Sequence, residues 1–178
     1  MKRLALQLLG GFDKHISSKV LLLDGIDYRD RPFDQEGSPR GFTGLHGAAY
    51  LGCVEITVAL LEMGEYDTNA TDCHRNTAIA WAARRGFEGV VSTLLEQSST
   101  DPNTANEYGQ TPLSFAAKNG HEAVVMVLLE RKNVDPDTAD TILGKTLLLF
   151  AVRNQYDGIV RTLLERNDVN PNIANKHG

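Results

Sequence analysis

The chain has 178 residues, 42% hydrophobic and 23% charged, an ordinary soluble mix that excludes an intrinsically disordered polymer. A net charge of -5 gives no global reason to bind nucleic acid, whose binders carry a surplus of Lys and Arg. Cys53 and Cys73 are too few for a disulfide framework and point to a reducing compartment, cytoplasmic or nuclear.

Met1-Lys2-Arg3 followed by Leu4–Leu9 has the outline of a signal peptide. The apolar run is short, contains Gln7 and meets no small-residue cleavage site before Asp13-Lys14-His15, so none is expected. No stretch approaches the ~20 apolar residues that span a bilayer, which leaves no membrane role. Leu4–Leu9, the break at Gly10-Gly11 and Ile16–Leu23 predict two short helices. Residues 28–40 are charged, contain Pro and Gly, and read as an extended loop.

From residue 41 onward the chain repeats itself. Thr43, Thr77, Thr111 and Thr146 recur at intervals of 34, 34 and 35 residues, each opening a Thr-x-apolar-x-x-Ala pattern. Gly52, Gly86 and Gly120 follow, then Leu60-Leu61, Leu94-Leu95, Leu128-Leu129 and Leu163-Leu164, and Asn69, Asn103, Asp137 and Asn172 close the units. A fixed period of this length marks a solenoid, in which each unit buries its apolar face only by stacking on the next.

The third unit shows the local logic. Asn106-Glu107-Tyr108-Gly109-Gln110 is turn chemistry. Thr111 caps a short helix and Pro112 takes its first position, where a missing N–H costs nothing. Asn119-Gly120 ends that helix, and a second one is predicted from about Glu122 to Glu130, with Val124, Val125, Val127, Leu128 and Leu129 as its apolar stripe. Small Ala116 and Ala117 allow close helix approach, and Asp135-Pro136-Asp137 forces an extended finger. Arg75 stands where the turn glycine belongs in the second unit, so that turn is expected to be strained or differently built. The segment 140–144 carries one extra residue and is unusually apolar.

These signatures together resemble the ankyrin repeat, matched four times over residues 41–175. The Asp101-Pro102-Asn103, Asp135-Pro136-Asp137 and Asn170-Pro171-Asn172 fingers are similar to those of long arrays in filamentous fungi. The resemblance implies an all-α solenoid of stacked helix-turn-helix units with extended fingers. The expected division is a degenerate capping repeat over 1–27, a finger over 28–40, repeats over 41–72, 73–106, 107–140 and 141–175, and the start of a further repeat at 176–178. It also implies that His46, three residues after Thr43, hydrogen-bonds within and between repeats as the family's histidine does.

Function follows from the resemblance in the same way. Partners of such arrays contact the turn tips and the exposed first-helix residues, which line a concave groove. Carried over, these are Arg40, Phe42, Tyr50 and Leu51 in the first unit, and Cys73, His74, Asn76, Arg84 and Arg85 in the second. The third supplies Glu107, Tyr108, Gln110, Lys118 and Asn119, and the fourth Ile142, Leu143, Lys145, Arg153 and Asn154. Arg84, Arg85, Lys118 and Arg153 make a basic ladder on an acidic protein, which points to an acidic protein segment as partner. Phe42, Tyr50, Leu51 and Tyr108 are expected to offer large apolar groups at the same surface.

Nothing in the chain points to chemistry. There is no Gly-rich phosphate loop, no Gly-x-Ser-x-Gly elbow and no helical His-Glu-x-x-His. Cys73-His74 with His46 lacks the paired ligand spacing that zinc needs. Trp81, Phe115 and Phe150 recur at one helix position, as core aromatics do. The expectation is a non-catalytic, cofactor-free protein-binding module, a monomer in itself. The alternatives are the recognition array of a larger signalling or receptor-type protein and a transcriptional co-regulator working through a DNA-binding partner.

Overall fold

The computed structural model describes residues 41–136, 146–167 and 169. The expected capping repeat over 1–27, the finger over 28–40, the apolar junction at 140–144, the finger at Asn170-Pro171-Asn172 and the turn at 176–178 lie outside the described residues.

The described residues form antiparallel helix pairs: α1 (Gly44–Leu51) with α2 (Val54–Met63), α3 (Ala78–Arg85) with α4 (Glu88–Leu95), α5 (Pro112–Lys118) with α6 (Glu122–Leu129), and α7 (Leu147–Arg153) with α8 (Asp157–Leu164). The short helices α1, α3, α5 and α7 pack on one another as an inner layer, and α2, α4, α6 and α8 form an outer layer behind them. Among the described residues, one isolated antiparallel bridge between Thr71 and Thr77 is the only β pairing, so the architecture is an all-α repeat solenoid.

Each inner helix starts as the threonine period dictates. The Oγ1 atoms of Thr77, Thr111 and Thr146 accept from the backbone N–H groups of Ala80, Ser114 and Leu149, satisfying one of the orphan donors of the first turn. Pro112 sits in the first turn of α5. Ala48, Ala49, Ala82, Ala83, Ala116, Ala117 and Ala151 are fully buried between the layers. Their single methyl groups leave room for neighbouring inner helices to pack closely. Behind them Leu60, Leu94, Leu128 and Leu163 form one continuous column, each at most 1% exposed, and burying each side chain stabilises the stack by about 1.5–3 kcal/mol.

The inner helices all end in the same way. Gly86 N–H donates to Ala83 O and Phe87 N–H to Ala82 O, and the same pair of bonds closes α1, α5 and α7. This requires a left-handed residue at the turn: Gly52, Gly86 and Gly120 have φ of 72°, 79° and 75°. Gly86 has a second reason to lack a side chain, because a Cβ there would lie 2.6 Å from the imidazole of His121 in the next pair. In the fourth pair the turn residue is Gln155, held at φ 59°.

Polar bonds stitch the pairs together. Asn69 donates from Nδ2 to Ser99 O and accepts from Asp101 N–H, and Asn103 Nδ2 repeats the first bond to Asn133 O. Arg131 and Arg166 each reach back to the last turn of the previous outer helix, donating to Leu95 O and Leu129 O. His121 bonds from Nε2 to Arg84 O at 3.0 Å.

Candidate functional site

The finger tips explain how the groove is held. In the second finger, Asp72 Oδ1 accepts from His74 N–H at 2.9 Å and Asn76 N–H at 2.8 Å, closing a tight turn. In the third, Asn106 Oδ1 does the same for Tyr108 and Gln110 N–H. Asp and Asn suit the position because a short side-chain oxygen reaches the N–H two residues on. Arg75, at φ 63°, takes the left-handed place that Gly109 takes at φ 73°. The strain expected at Arg75 is therefore real: the Asp72 turn forces a β-carbon into a region where it crowds its own backbone.

The fingers are bound to each other and to the inner helices. Glu107 N–H donates to His74 O at 3.1 Å, Asn106 Nδ2 donates to Asn76 Oδ1 at 3.0 Å, and His74 Nδ1 lies 2.6 Å from Glu107 Oε1. Trp81 Nε1–H donates to Asp72 Oδ2 at 2.9 Å, pinning the second finger to α3. At the preceding seam His46 is almost fully buried. Its Nδ1 accepts from Thr43 N–H at 3.1 Å and its Nε2 faces Asn76 O at 3.1 Å. The imidazole therefore bonds within its own repeat and across to the next, with the proton on Nε2. Burial pushes its pKa below the ordinary value, against opposing pulls from the Asp72 carboxylate and the carbonyls of Asn76 and Ala70.

Between the fingers and inner helices of the second and third pairs lies a hollow of about 110 Å³. Seven of the residues expected at a contact surface line it: His74, Asn76, Arg84, Tyr108, Gln110, Lys118 and Asn119. Trp81, Asn106 and Phe115 complete the lining. The two rings are core residues, 3% and 4% exposed, yet their remaining surface forms part of the wall. The guanidinium carbon of Arg84 lies 5.5 Å from the ring centres of both Trp81 and Phe115. Tyr108 is 40% exposed. Asn76 is buried, and with Asn106 it acts mainly as a clamp between fingers.

Other expected contact residues fall elsewhere. Phe42 and Tyr50 do not offer their rings to a partner: they are 5% and 2% exposed. Both pack edge-on against Trp81, at 6.3 and 5.6 Å between ring centres, and this three-ring contact seals the first seam. Leu51 is half-buried against the core. Arg85 is exposed at the end of α3, with its guanidinium carbon 4.6 Å from the ring centre of Tyr50 and 5.9 Å from that of Phe87. Arg153 and Asn154 are exposed on and just after α7, where Asn154 Nδ2 donates to Phe150 O, as Asn119 Nδ2 does to Phe115 O. Cys73 is half-buried. Arg40, Ile142, Leu143 and Lys145 lie outside the described residues.

Sequence reasoning missed Asp72, a buried carboxylate that accepts from Trp81, Asn76 and the finger backbone at once. The period carried the signal, because Asp72 stands 34 residues before the turn-forming Asn106.

Helical hairpins stacked in two layers, with fingers folded toward the inner one, define a helical repeat array. A family model described as ankyrin repeats (three copies) matches residues 8–106 and 88–175, and the chain belongs to the ankyrin-repeat family. No curated protein matches it at a significant level. Ankyrin repeats are generally protein–protein interaction modules and typically non-catalytic. Among the described residues, no helix is long and apolar enough to cross a membrane.

Proposed function

We propose that the chain is a non-catalytic module, a monomer in itself, that docks an extended acidic segment of a partner protein along the fingers and inner helices. The second and third repeats, 73–106 and 107–140, are its functional centre, and it works in the cytoplasm or nucleus. The observation that supports this reading is the gathering of seven candidate residues around one hollow, with Arg84, Lys118 and an exposed Tyr108 among them. Arg and Tyr are the side chains that carry most binding energy at protein interfaces. The local positive charge on a chain of net charge -5 gives an acidic segment a reason to approach this face.

A photo-crosslinking amino acid tests the location without knowledge of the partner. Placed at Tyr108 on the groove, it is expected to give a discrete adduct in cells. Placed at Met126, which is 49% exposed on outer helix α6, it is expected to give none. Adducts from position 126 with none from 108 would place docking on the opposite side.

A further inference from the structure

We propose that Lys118 and Arg153 form a two-point seat for an acidic segment in polyproline II form. Each takes one carboxylate, from residues three apart in that segment. This rests on the docking reading above, carries the groove into the fourth pair and names the spacing it selects.

Charge is sorted between the two layers. The inner helices α3, α5 and α7 carry basic residues in their last turns: Arg84 and Arg85, Lys118, and Arg153. The outer helices α2, α4 and α6 carry none there. Instead α4, α6 and α8 are capped by Glu96, Glu130 and Glu165, all exposed. A cation suits any helix C-terminus and an anion suits none, because the macrodipole is negative there. The dipole would put the same charge on both layers, so it is not what separates them. Among the described outer helices only α8 departs, with Arg161 in its last turn. The sorting gives an acidic chain a basic groove, which turns an acidic partner toward the inner helices.

Lys118 and Arg153 are the members placed to use that charge. They close equivalent helices one repeat apart, and both are exposed. The two helix ends are built alike, with Asn119 Nδ2 on Phe115 O and Asn154 Nδ2 on Phe150 O. Among the described residues neither cation forms an ion pair, and no carboxylate lines the hollow beside Lys118. Arg84 and Arg85 lie over rings and have no part in the seat.

Spacing sets the conformation of the occupant. Helix α5 packs on α7, and packed helices stand about 8–10 Å apart. A polyproline II chain rises about 3.1 Å per residue with about three residues per turn, so residues i and i+3 share a face about 9 Å apart. A β-strand puts same-face residues about 7 Å apart at i+2 and about 13 Å apart at i+4, a poorer match to the helices.

The test uses a random peptide library displayed on phage and selected on the full chain. Wild type is expected to enrich peptides with two acids three residues apart. In the best peptide, changing either acid to its amide is expected to weaken binding about two- to fivefold, as exposed ion pairs do, and changing both about tenfold. Lys118→Gln is expected to cancel the effect of one acid and Arg153→Gln that of the other, each in its own double-mutant cycle. Inserting one glycine between the acids is expected to cost as much as losing one of them. Helical circular dichroism checks the variants, and the peptide changes on wild type decide the spacing even if a variant fails to fold.

Enriched peptides without the paired acids would overturn the seat. So would acids that couple to neither cation or both to one, a spacing of two or four residues that binds as tightly, or a single-stranded oligonucleotide that binds more tightly than the peptide. In each of those cases docking itself survives if a photo-crosslinking amino acid at Tyr108 still captures the peptide. Failure to enrich any peptide counts against both readings.

Discussion

The first seam and the second are built from the same repeat position and end in opposite states. Tyr50 stands one period before Arg84, and Lys118 one period after. At the first seam Tyr50 joins Phe42 and Trp81 in an edge-on cluster that closes the space between repeats. At the second, Arg84 lies against Trp81 and Phe115, and the space beside it stays open as the hollow. An aromatic at that position converts groove into core, whereas a cation braced by rings keeps the groove and charges it. The scaffold is indifferent to the choice, because the leucine column behind it continues unchanged through both seams.

Trp81 belongs to both seams, so its removal should give the largest effect. Trp81→Ala is expected to cost about 3–5 kcal/mol, from the lost ring and from the Asp72 carboxylate left without its indole donor. Urea unfolding followed by circular dichroism measures it. A loss below 1 kcal/mol would mean the rings are not what joins the repeats.

The hairpin glycines give the next largest contrast. Gly86→Ala must accept both a left-handed φ and a collision with His121, whereas Gly64, at φ 69°, has nothing within 4 Å of a built Cβ. Gly64→Ala is expected to cost about 1 kcal/mol from backbone strain alone, and Gly86→Ala clearly more. Equal losses in denaturation would show that the ring of the next repeat yields freely.

Acid should loosen the first seam through His46. Burial holds the folded-state pKa of His46 below the value of about 6.5 expected in the unfolded chain. As pH falls below that value the unfolded chain takes up the proton first, so His46's contribution is full near neutrality and drains away toward the lowered folded pKa. Melting temperature measured from pH 7.5 downward should fall more steeply for wild type than for His46→Gln. Parallel curves would mean that His46 does not titrate on unfolding.

The smallest expected effect runs the other way. Arg75→Gly relieves the one left-handed non-glycine in the second finger and is expected to stabilise by about 0.5–1 kcal/mol. A loss of stability would show that the Arg75 side chain makes a contact worth more than the strain.

Much of this structure was legible beforehand because the repeat writes it several times. The threonine period placed the inner helices, the alanine pairs predicted their close packing, and Arg75 in a glycine's place predicted the strained turn. Position in the repeat alone sufficed to place Arg84, Tyr108, Gln110 and Lys118 around one hollow. It failed where the outcome depends on a neighbour's identity. Phe42 and Tyr50 were expected at the contact surface, and both rings instead lie buried edge-on to the indole of Trp81 across the seam.

Trp81 also supplies the most direct probe of the docking face. It is the single tryptophan in the chain, and its indole N–H, bonded to Asp72 at the wall of the hollow, gives one isolated proton resonance in a nuclear magnetic resonance spectrum. Titration with an acidic peptide selected on the chain is expected to shift that resonance in step with binding, while amides of the outer helices α4 and α6 stay in place. A saturating peptide that moves the outer-helix amides and leaves the indole untouched would contradict the assignment of the inner groove as the recognition surface.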